Sequence, residues 1–303
     1  IDGANASRWV KIPFSGLSFQ TSTLAAVVLM VFTANHLSKP NLREIKFSRS
    51  LLQLWLPVLT VVLLIFPSNL STAALLFSMV LILAFVAHYP LKYLLTICGM
   101  GVAFVLLFFL LVKAFPSQFP NRIDTWMSRI ENFSSGQSDD GNYQVARAKT
   151  AIVSGKIFGL GAGKSRMKNF LPQSSSDFIY AIIVEEFGLL GGIGLILLYL
   201  LLLFRIVVIA HNTLNLFGKL TVVGLGIPII FQAFINIGVA LQVLPVTGQN
   251  LPMISSGGTS AWMTCIAMGI ILSVSAKRAE AQEVEQEIET NTNPISILSE
   301  THY

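Results

Sequence analysis

Charged side chains are scarce in this chain of 303 residues. Asp, Glu, Lys and Arg make up 12% of it, whereas 53% of its residues are hydrophobic. Water-soluble domains contain about 25% charged residues. The composition therefore excludes an ordinary soluble globular protein and indicates a chain most of whose residues lie in a lipid bilayer.

Cysteine is also rare, with two residues, Cys98 and Cys265, both inside apolar runs. A thiol in such a position acts as a small apolar side chain. The sequence contains neither a disulfide framework nor a Cys/His metal-binding motif, which excludes a disulfide-rich domain.

Long apolar runs are abundant instead. A helix needs about 20 apolar residues to cross a bilayer core about 30 Å thick, and helices satisfy their own backbone hydrogen bonds in lipid. The sequence therefore predicts an all-α polytopic integral membrane protein with seven transmembrane helices. These are residues 19–37, 51–66, 71–88, 94–114, 177–204, 220–243 and 259–276.

The predicted helices belong to a transmembrane domain, residues 1–276, which includes a long loop at 115–176. The tail, 277–303, contains two basic and six acidic residues; we expect it to extend the last helix briefly and then to be disordered. The rest of the chain has 18 basic and 9 acidic residues. This excess favours anionic lipid head groups and phosphate as partners rather than nucleic acid.

Basic residues occur in every other connection between the predicted helices. Loops 38–50, 89–93 and 205–219 contain Lys or Arg, whereas 67–70 and 244–258 contain none. Lys and Arg accumulate in short cytoplasmic loops, so we expect a cytoplasmic C-terminus and an extracytoplasmic 115–176 loop. The first residue then lies outside with no initiator Met, and we expect one or more helices to precede it. A genuine outside start is the alternative.

The 115–176 loop is predicted to contain helices at 121–131 and 143–154, the second ending at Gly155. Arg binds phosphate oxygens through its planar fork and Lys acts as a point charge, so the loop suits an anionic lipid head. Nonspecific attraction to anionic lipid is the alternative. The cations are Arg122, Arg129, Arg147, Lys149, Lys156, Lys164, Arg166 and Lys168.

The glycines of this loop resemble a nucleotide-binding motif only in part. Gly163-Lys164-Ser165 is preceded by Phe158 where a P-loop requires glycine. We therefore exclude a nucleotide site and expect the glycines to permit tight turns and close backbone approach.

Asp177 lies where this loop meets the fifth predicted helix. It could cap the helix, but the serines at 174–176 could do the same, which leaves its carboxylate available for chemistry. Glu185 and Glu186 follow about two turns later. Ionisable groups at membrane depth usually face a cavity or a partner, and we expect one of the two to be structural, bonded to a neighbouring helix.

The uncharged connection 244–260, LPVTGQNLPMISSGGTS, cannot form an ordinary helix, because it contains two prolines and three glycines. Irregular backbone at membrane depth is tolerated where it lines a cavity. A plain re-entrant turn is the alternative.

Four stretches, in this order, resemble the SEDS family of peptidoglycan polymerases, which includes FtsW, RodA and SpoVE. Residues 6–10 with 19–20 match GARRWI…FQPSE, and 143–163 match YQ…AI.SGG..G.G.G. Residues 171–188 match LPE..TDFIFA…EELG, and 244–258 match LPVTGLTLPFVSYGGSS. The resemblance implies that the seven predicted helices are helices 4–10 of a ten-helix fold.

The chain departs from the family pattern at three charged positions. Thr23, Ala26 and Asn69 stand where the family has Glu, Lys and Asp, which removes charges expected in the central cavity. The first motif and the acidic tail favour the division member, FtsW.

The resemblance implies an inverting glycosyltransferase that uses lipid II as donor and acceptor, with Asp177 as general base and undecaprenyl pyrophosphate as leaving group. A divalent Mg or Mn ion could assist. The candidates for binding substrate or pyrophosphate are Arg8, Arg122, Gln144, Arg147, Lys149, Lys164, Arg166, Lys168, Glu185, Glu186, Thr247, Ser255 and Ser256.

The resemblance also implies a bacterial cytoplasmic membrane location and a class B penicillin-binding protein transpeptidase as partner, with other division proteins and no nucleic acid. Two alternatives belong to other functional classes. One is a lipid II flippase, and the other is a non-catalytic division scaffold.

Overall fold

The computed structural model describes residues 9–11, 18–39, 46–114, 140–171 and 175–292, of which 9, 11, 18, 112–113, 140–143 and 278–292 are described by backbone alone. This part of the chain is mostly helical. The helices are α1 Thr21–Leu37, α2 Phe47–Ile65, α3 Leu70–Val86, α4 Leu91–Ala114, α5 Asp140–Gly155, α6 Ile179–Asn212, α7 Leu216–Ala240 and α8 Gly258–Thr292.

Each predicted transmembrane segment coincides with a helix. Five of these helices, α2, α4, α6, α7 and the Gly258–Lys277 part of α8, are long and apolar enough to cross a membrane. The other two, α1 and α3, have 17 residues each. The helical membrane fold is therefore confirmed, and the crossing of the bilayer by α1 and α3 stays a prediction.

A small β-ribbon precedes α1 and was not predicted. Strands Trp9–Lys11 and Ser18–Gln20 pair antiparallel, with Val10 opposite Phe19. The second strand leads directly into α1. The first helix therefore begins at Thr21, two residues after the predicted start at residue 19. Hydropathy could not reveal the strand, because its hydrogen-bonding partner is a separate segment of the chain.

The tail was expected to extend the last helix briefly, and the structure confirms this extension over residues 277–292. Helix α8 continues unbroken to Thr292. This stretch contains Ala, Glu, Gln, Lys and Arg, which are strong helix formers, and it contains no proline. Residues 293–303 lie outside the described part of the chain.

Helix α7 is the central element of the fold. It packs against α6, α1, α8 and α3. In its most apolar stretch 56% is buried inside the protein, compared with 6% for α4. Its glycines allow close approach: a Cβ on Gly224 would lie 3.0 Å from a methyl of Leu83, and one on Gly226 would lie 2.6 Å from Ile206. Small residues serve this purpose in membrane helices.

A second, smaller apolar cluster joins α5 to the start of α6. The helix predicted at 143–154 is confirmed as α5, which ends at Gly155 as expected; the helix predicted at 121–131 lies outside the described residues. The cluster consists of Val145, Ala148, Ala151, Leu171, Phe178, Ala181, Ile182 and Val239. It holds the cation-rich part of the long loop against the first turns of α6.

Candidate functional site

The loop that follows α5 inserts its backbone into a break in α6. Gly188 adopts φ 72° and ψ −173°, which interrupts the helical hydrogen bonds between residues 185–186 and 189–190. Loop residues 156–161 satisfy all four freed groups. The bonds, donor first, join Leu160 to Glu185 and Gly161 to Glu186 (2.9 Å each), Leu189 to Lys156 (2.8 Å) and Leu190 to Ile157 (3.3 Å).

Three glycines make this insertion sterically possible. A Cβ on Gly155, Gly159 or Gly188 would lie 2.0, 2.2 or 2.1 Å, respectively, from a backbone carbonyl oxygen of the facing segment. Gly159 and Gly188 also have positive φ values of 79° and 72°, which other residues adopt only with strain. The expectation of close backbone approach is therefore confirmed, and four backbone hydrogen bonds join the loop to the helix.

Glu185 fixes the next part of the loop. Its side chain is fully buried and accepts hydrogen bonds from the Ser165 hydroxyl, from Arg166 N (3.0 Å) and from Met167 N (3.3 Å). Glu185 was predicted as one candidate for binding substrate; in the structure its carboxylate accepts hydrogen bonds from the loop. The expectation that one acid of the pair is structural is confirmed, although its partner is the loop rather than a helix.

Five of the cations predicted to bind substrate or pyrophosphate lie on α5 and the anchored loop. Lys149, Lys164, Arg166 and Lys168 are exposed. Arg147 is half-buried, and its guanidinium carbon lies 5.8 Å from the ring centroid of Phe170, within range of a cation–π interaction. We call these five residues the cationic segment. Two further candidate ligands, Gln144 on α5 and Glu186 on α6, have half-buried side chains.

Asp177 is half-buried and lies two residues before the start of α6. The N-cap position is taken by Phe178, which makes no side-chain cap hydrogen bond and is completely buried. The backbone oxygen of Asp177 accepts a 2.8 Å hydrogen bond from Asn236 Nδ2 on α7. Its Oδ2 lies 3.5 Å from the position that a Cβ on Gly248 would occupy, so the carboxylate lies against the α7–α8 connection.

The connection between α7 and α8 is irregular, as predicted, and bonds directly to the segment before α6. Ser256 N donates to Ser175 O (2.8 Å). The Ser255 hydroxyl donates to Ser176 O (2.6 Å) and accepts from Leu251 N (2.7 Å). Ser255 was predicted as a substrate ligand; its hydroxyl instead holds this connection in place. The side chain of Ser256 is exposed.

Thr247 differs from the two serines. Its hydroxyl is buried and has no hydrogen-bond partner among the residues that the structure describes. It directly precedes Gly248, which faces the Asp177 carboxylate. Thr247 therefore stays a candidate for contact with a ligand or a bound water.

The family model described as cell cycle protein, FtsW/RodA/SpoVE, matches residues 2–280. The chain belongs to this family. It is 32% identical over 294 residues to a probable peptidoglycan glycosyltransferase FtsW of Enterococcus hirae, over 93% of this chain and 71% of that protein. A Saccharophagus degradans protein of the same name is 34% identical over 281 residues, or 88% and 67% of the two chains.

Solved structures of FtsW/RodA/SpoVE proteins have the same fold. A chain of a peptidoglycan synthase complex that coordinates polymerization and crosslinking has a TM-score of 0.67 at 27% identity, covering 90% of this chain and 74% of that one. The rod shape determining protein RodA of Thermus thermophilus has a TM-score of 0.59 at 26% identity, covering 92% and 71%.

Sequence reasoning missed three polar residues of this FtsW/RodA/SpoVE chain. Asn236 Nδ2 bonds to Gln249 O (2.7 Å) as well as to Asp177 O, and Gln249 Nε2 donates to Thr72 Oγ1 (3.0 Å). The signal available was the amide of Asn236, one of three amides in the apolar run 220–243, because polar groups at membrane depth are costly to bury.

The remaining predicted groups lie elsewhere. Arg8 and Arg122 fall outside the described residues. Within the described part of this family member, no three His, Cys, Asp or Glu side chains are grouped as a metal site requires. Both cysteines are free and exposed on their helices.

Proposed function

We propose that this chain is a peptidoglycan glycosyltransferase that polymerises lipid II during cell division. The observation behind the proposal is a fixed spatial arrangement: Asp177 lies two residues before α6, and the loop that carries Lys164, Arg166 and Lys168 is anchored to the next turns of the same helix by Glu185 and the Gly188 break. The names of the relatives support the same activity.

In the proposed reaction, Asp177 accepts the proton of the acceptor's GlcNAc 4-hydroxyl as that oxygen attacks C1 of the donor's MurNAc. The new C1–O bond forms as the C1–O bond to the diphosphate breaks, and the anomeric configuration is inverted. A positioned general base contributes about 10²–10⁴-fold to such a step. The proton moves to the carboxylate, and undecaprenyl pyrophosphate leaves.

The cationic segment suits the leaving group, because negative charge develops on the diphosphate as its bond to carbon breaks. Fixed cations stabilise such charge without reorganising. Lys164, Arg166 and Lys168 lie on a loop whose backbone is already held by Glu185. The loop therefore loses little conformational entropy when the substrate binds.

A divalent ion would be held differently from a resident metal. Because the described residues contain no group of three potential ligands, Mg or Mn would be bound chiefly by the diphosphate oxygens, as Mg often is in phosphate sites. No step of the proposed reaction depends on it.

The base assignment is tested by Asp177→Asn. The amide keeps the shape of the side chain but cannot take up a proton at neutral pH, so we expect the turnover of purified lipid II in detergent micelles to fall at least about 100-fold. The measurement is the length and amount of glycan formed over time.

Glu283→Gln is the matched control, because it removes one carboxylate from the C-terminal part of α8. It should polymerise like the wild type. Polymer formed by Asp177→Asn at the wild-type rate would overturn the base assignment. A wild-type protein that makes no polymer in micelles, where there is no membrane to cross, would favour a flippase.

We also propose that the chain works with a class B penicillin-binding protein in the cytoplasmic membrane, with its 115–176 loop outside. A similar chain comes from a peptidoglycan synthase complex, which supports such a partner. Adding the transpeptidase to the micelle assay should raise glycan synthesis by the wild type and leave Asp177→Asn inactive.

A further inference from the structure

The side-chain amide of Asn236 joins two backbone segments that meet at Asp177. Its Nδ2 lies 2.8 Å from Asp177 O and 2.7 Å from Gln249 O. Both partners are carbonyl oxygens, which only accept hydrogen bonds. The NH₂ group must therefore point at them, and both of its hydrogens are used.

This orientation leaves the other end of the amide without a partner. Asn236 is 1% exposed, and its Oδ1 is buried with no hydrogen-bond partner among the described residues. A buried acceptor without a partner lowers the stability of the folded protein by about 1–3 kcal/mol. A leucine at position 236, which is of similar size, would have no such acceptor. The amide is thus not explained by helix packing alone.

The amide lies in a longer chain of hydrogen bonds. The Gln249 side chain donates to Thr72 Oγ1 (3.0 Å), and Thr72 N donates to Asn69 Oδ1 at the start of α3 (3.2 Å). Gly248, directly before Gln249, faces the Asp177 carboxylate, whose Oδ2 lies 3.5 Å from the position that a Cβ on Gly248 would occupy. Asn236 therefore sets the distance between the backbone of Asp177 and the connection against which its carboxylate lies.

We propose that Asn236 is a positioning residue for Asp177. It does not contact the substrate; it holds the Asp177 backbone and the 248–249 backbone at one separation and so fixes the direction of the carboxylate toward the acceptor hydroxyl. This role rests on the proposed function of Asp177 as the base. A displacement of about 1 Å at a reacting group can cost about 100-fold in rate.

The test compares Asn236→Leu, which removes both hydrogen bonds, with Asn236→Asp, which keeps the shape and presents oxygen to the two carbonyls. We expect kcat on lipid II to fall about tenfold to a hundredfold in each. KM should stay within about threefold, because the lost interaction acts on the reacting group rather than on binding. Thermal unfolding in detergent reports whether each variant is folded.

The matched control is Asn215→Asp. Asn215 caps α7 by accepting from Phe217 N (3.0 Å), and aspartate caps equally well, so kcat should not change. A kcat within twofold of wild type in both Asn236 variants overturns the proposal. So does loss of the folded protein in both, since the role would then be purely structural.

A double-mutant cycle with Asp177→Glu distinguishes this proposal from the base assignment. If Asn236 acts through Asp177, adding Asn236→Leu to a carboxylate already displaced should cost less than it costs in the wild type. Fully additive losses overturn the positioning role and leave the base assignment intact. Wild-type turnover in Asp177→Asn overturns the base assignment, and the positioning role with it.

Discussion

Glu185 and Glu186 are adjacent acids with different surroundings. The Glu185 carboxylate accepts from a hydroxyl and two backbone N–H groups of the loop. Glu186 bonds to the loop through its backbone oxygen, and its side chain is half-buried. The same residue type therefore has a structural role at one position and not at the next.

Glu185→Gln should release the loop. It replaces one accepting oxygen with an NH₂ group that faces donors, and hydrogen bonds to a charged group contribute about 1.5–3 kcal/mol each. We expect faster trypsin cleavage at Lys164, Arg166 and Lys168, all of which are exposed, together with a lower unfolding temperature.

Glu186→Gln serves as the control for that experiment, because its bond to Gly161 N uses the backbone. It should be cleaved at the wild-type rate. Equal cleavage of the two variants would show that the Glu185 carboxylate does not anchor the loop.

Sequence patterns at the residue scale identify Asp177 but not Asn236. Asp177 is the acid at the boundary of a polar loop and an apolar run, a position visible in the sequence. The importance of Asn236 depends on two carbonyls, at residues 177 and 249, that meet only in the folded protein. The same limit explains why Ser255 was predicted to bind substrate when its hydroxyl serves the fold.

At the scale of elements, the break in α6 is the feature whose disruption should lower the stability of the protein most. Gly188→Ala would place a Cβ 2.1 Å from Ile157 O at a positive φ. The inserted segment 156–161 would have to move and four backbone hydrogen bonds would be lost. We expect a loss of at least about 3 kcal/mol in stability, measured by thermal unfolding in detergent.

Gly194→Ala is the control within the same helix. No atom lies within 4 Å of a Cβ built there, and alanine is favoured over glycine inside a helix by about 0.5–1 kcal/mol. Its stability should be unchanged or slightly raised. A Gly188→Ala protein as stable as Gly194→Ala would contradict the inserted-loop geometry.

At the scale of the whole molecule, the distribution of Lys and Arg predicts the side of the membrane on which each end lies. Cysteines at Asn169→Cys in the exposed loop and Ala281→Cys in α8, in a background without Cys98 and Cys265, test this. A membrane-impermeant maleimide should label the first in intact cells and the second only after permeabilisation. The reverse pattern would invert the predicted orientation.

The sequence by itself determined the helical membrane fold, the positions of seven helices and the candidate base, because hydrophobic run length and a lone carboxylate at a polar boundary are local properties. The extension of α8 into the polar tail, as far as Thr292, is local too, because it follows from the helix-forming residues of that stretch.

Only the tertiary structure decided what surrounds Asp177. The insertion of residues 156–161 into α6, the role of Glu185 and the bridge made by Asn236 all join segments far apart in the chain. Hydrogen bonds of this kind depend on where backbone carbonyls and N–H groups meet in space. Hydropathy and motif spacing do not specify those meeting points.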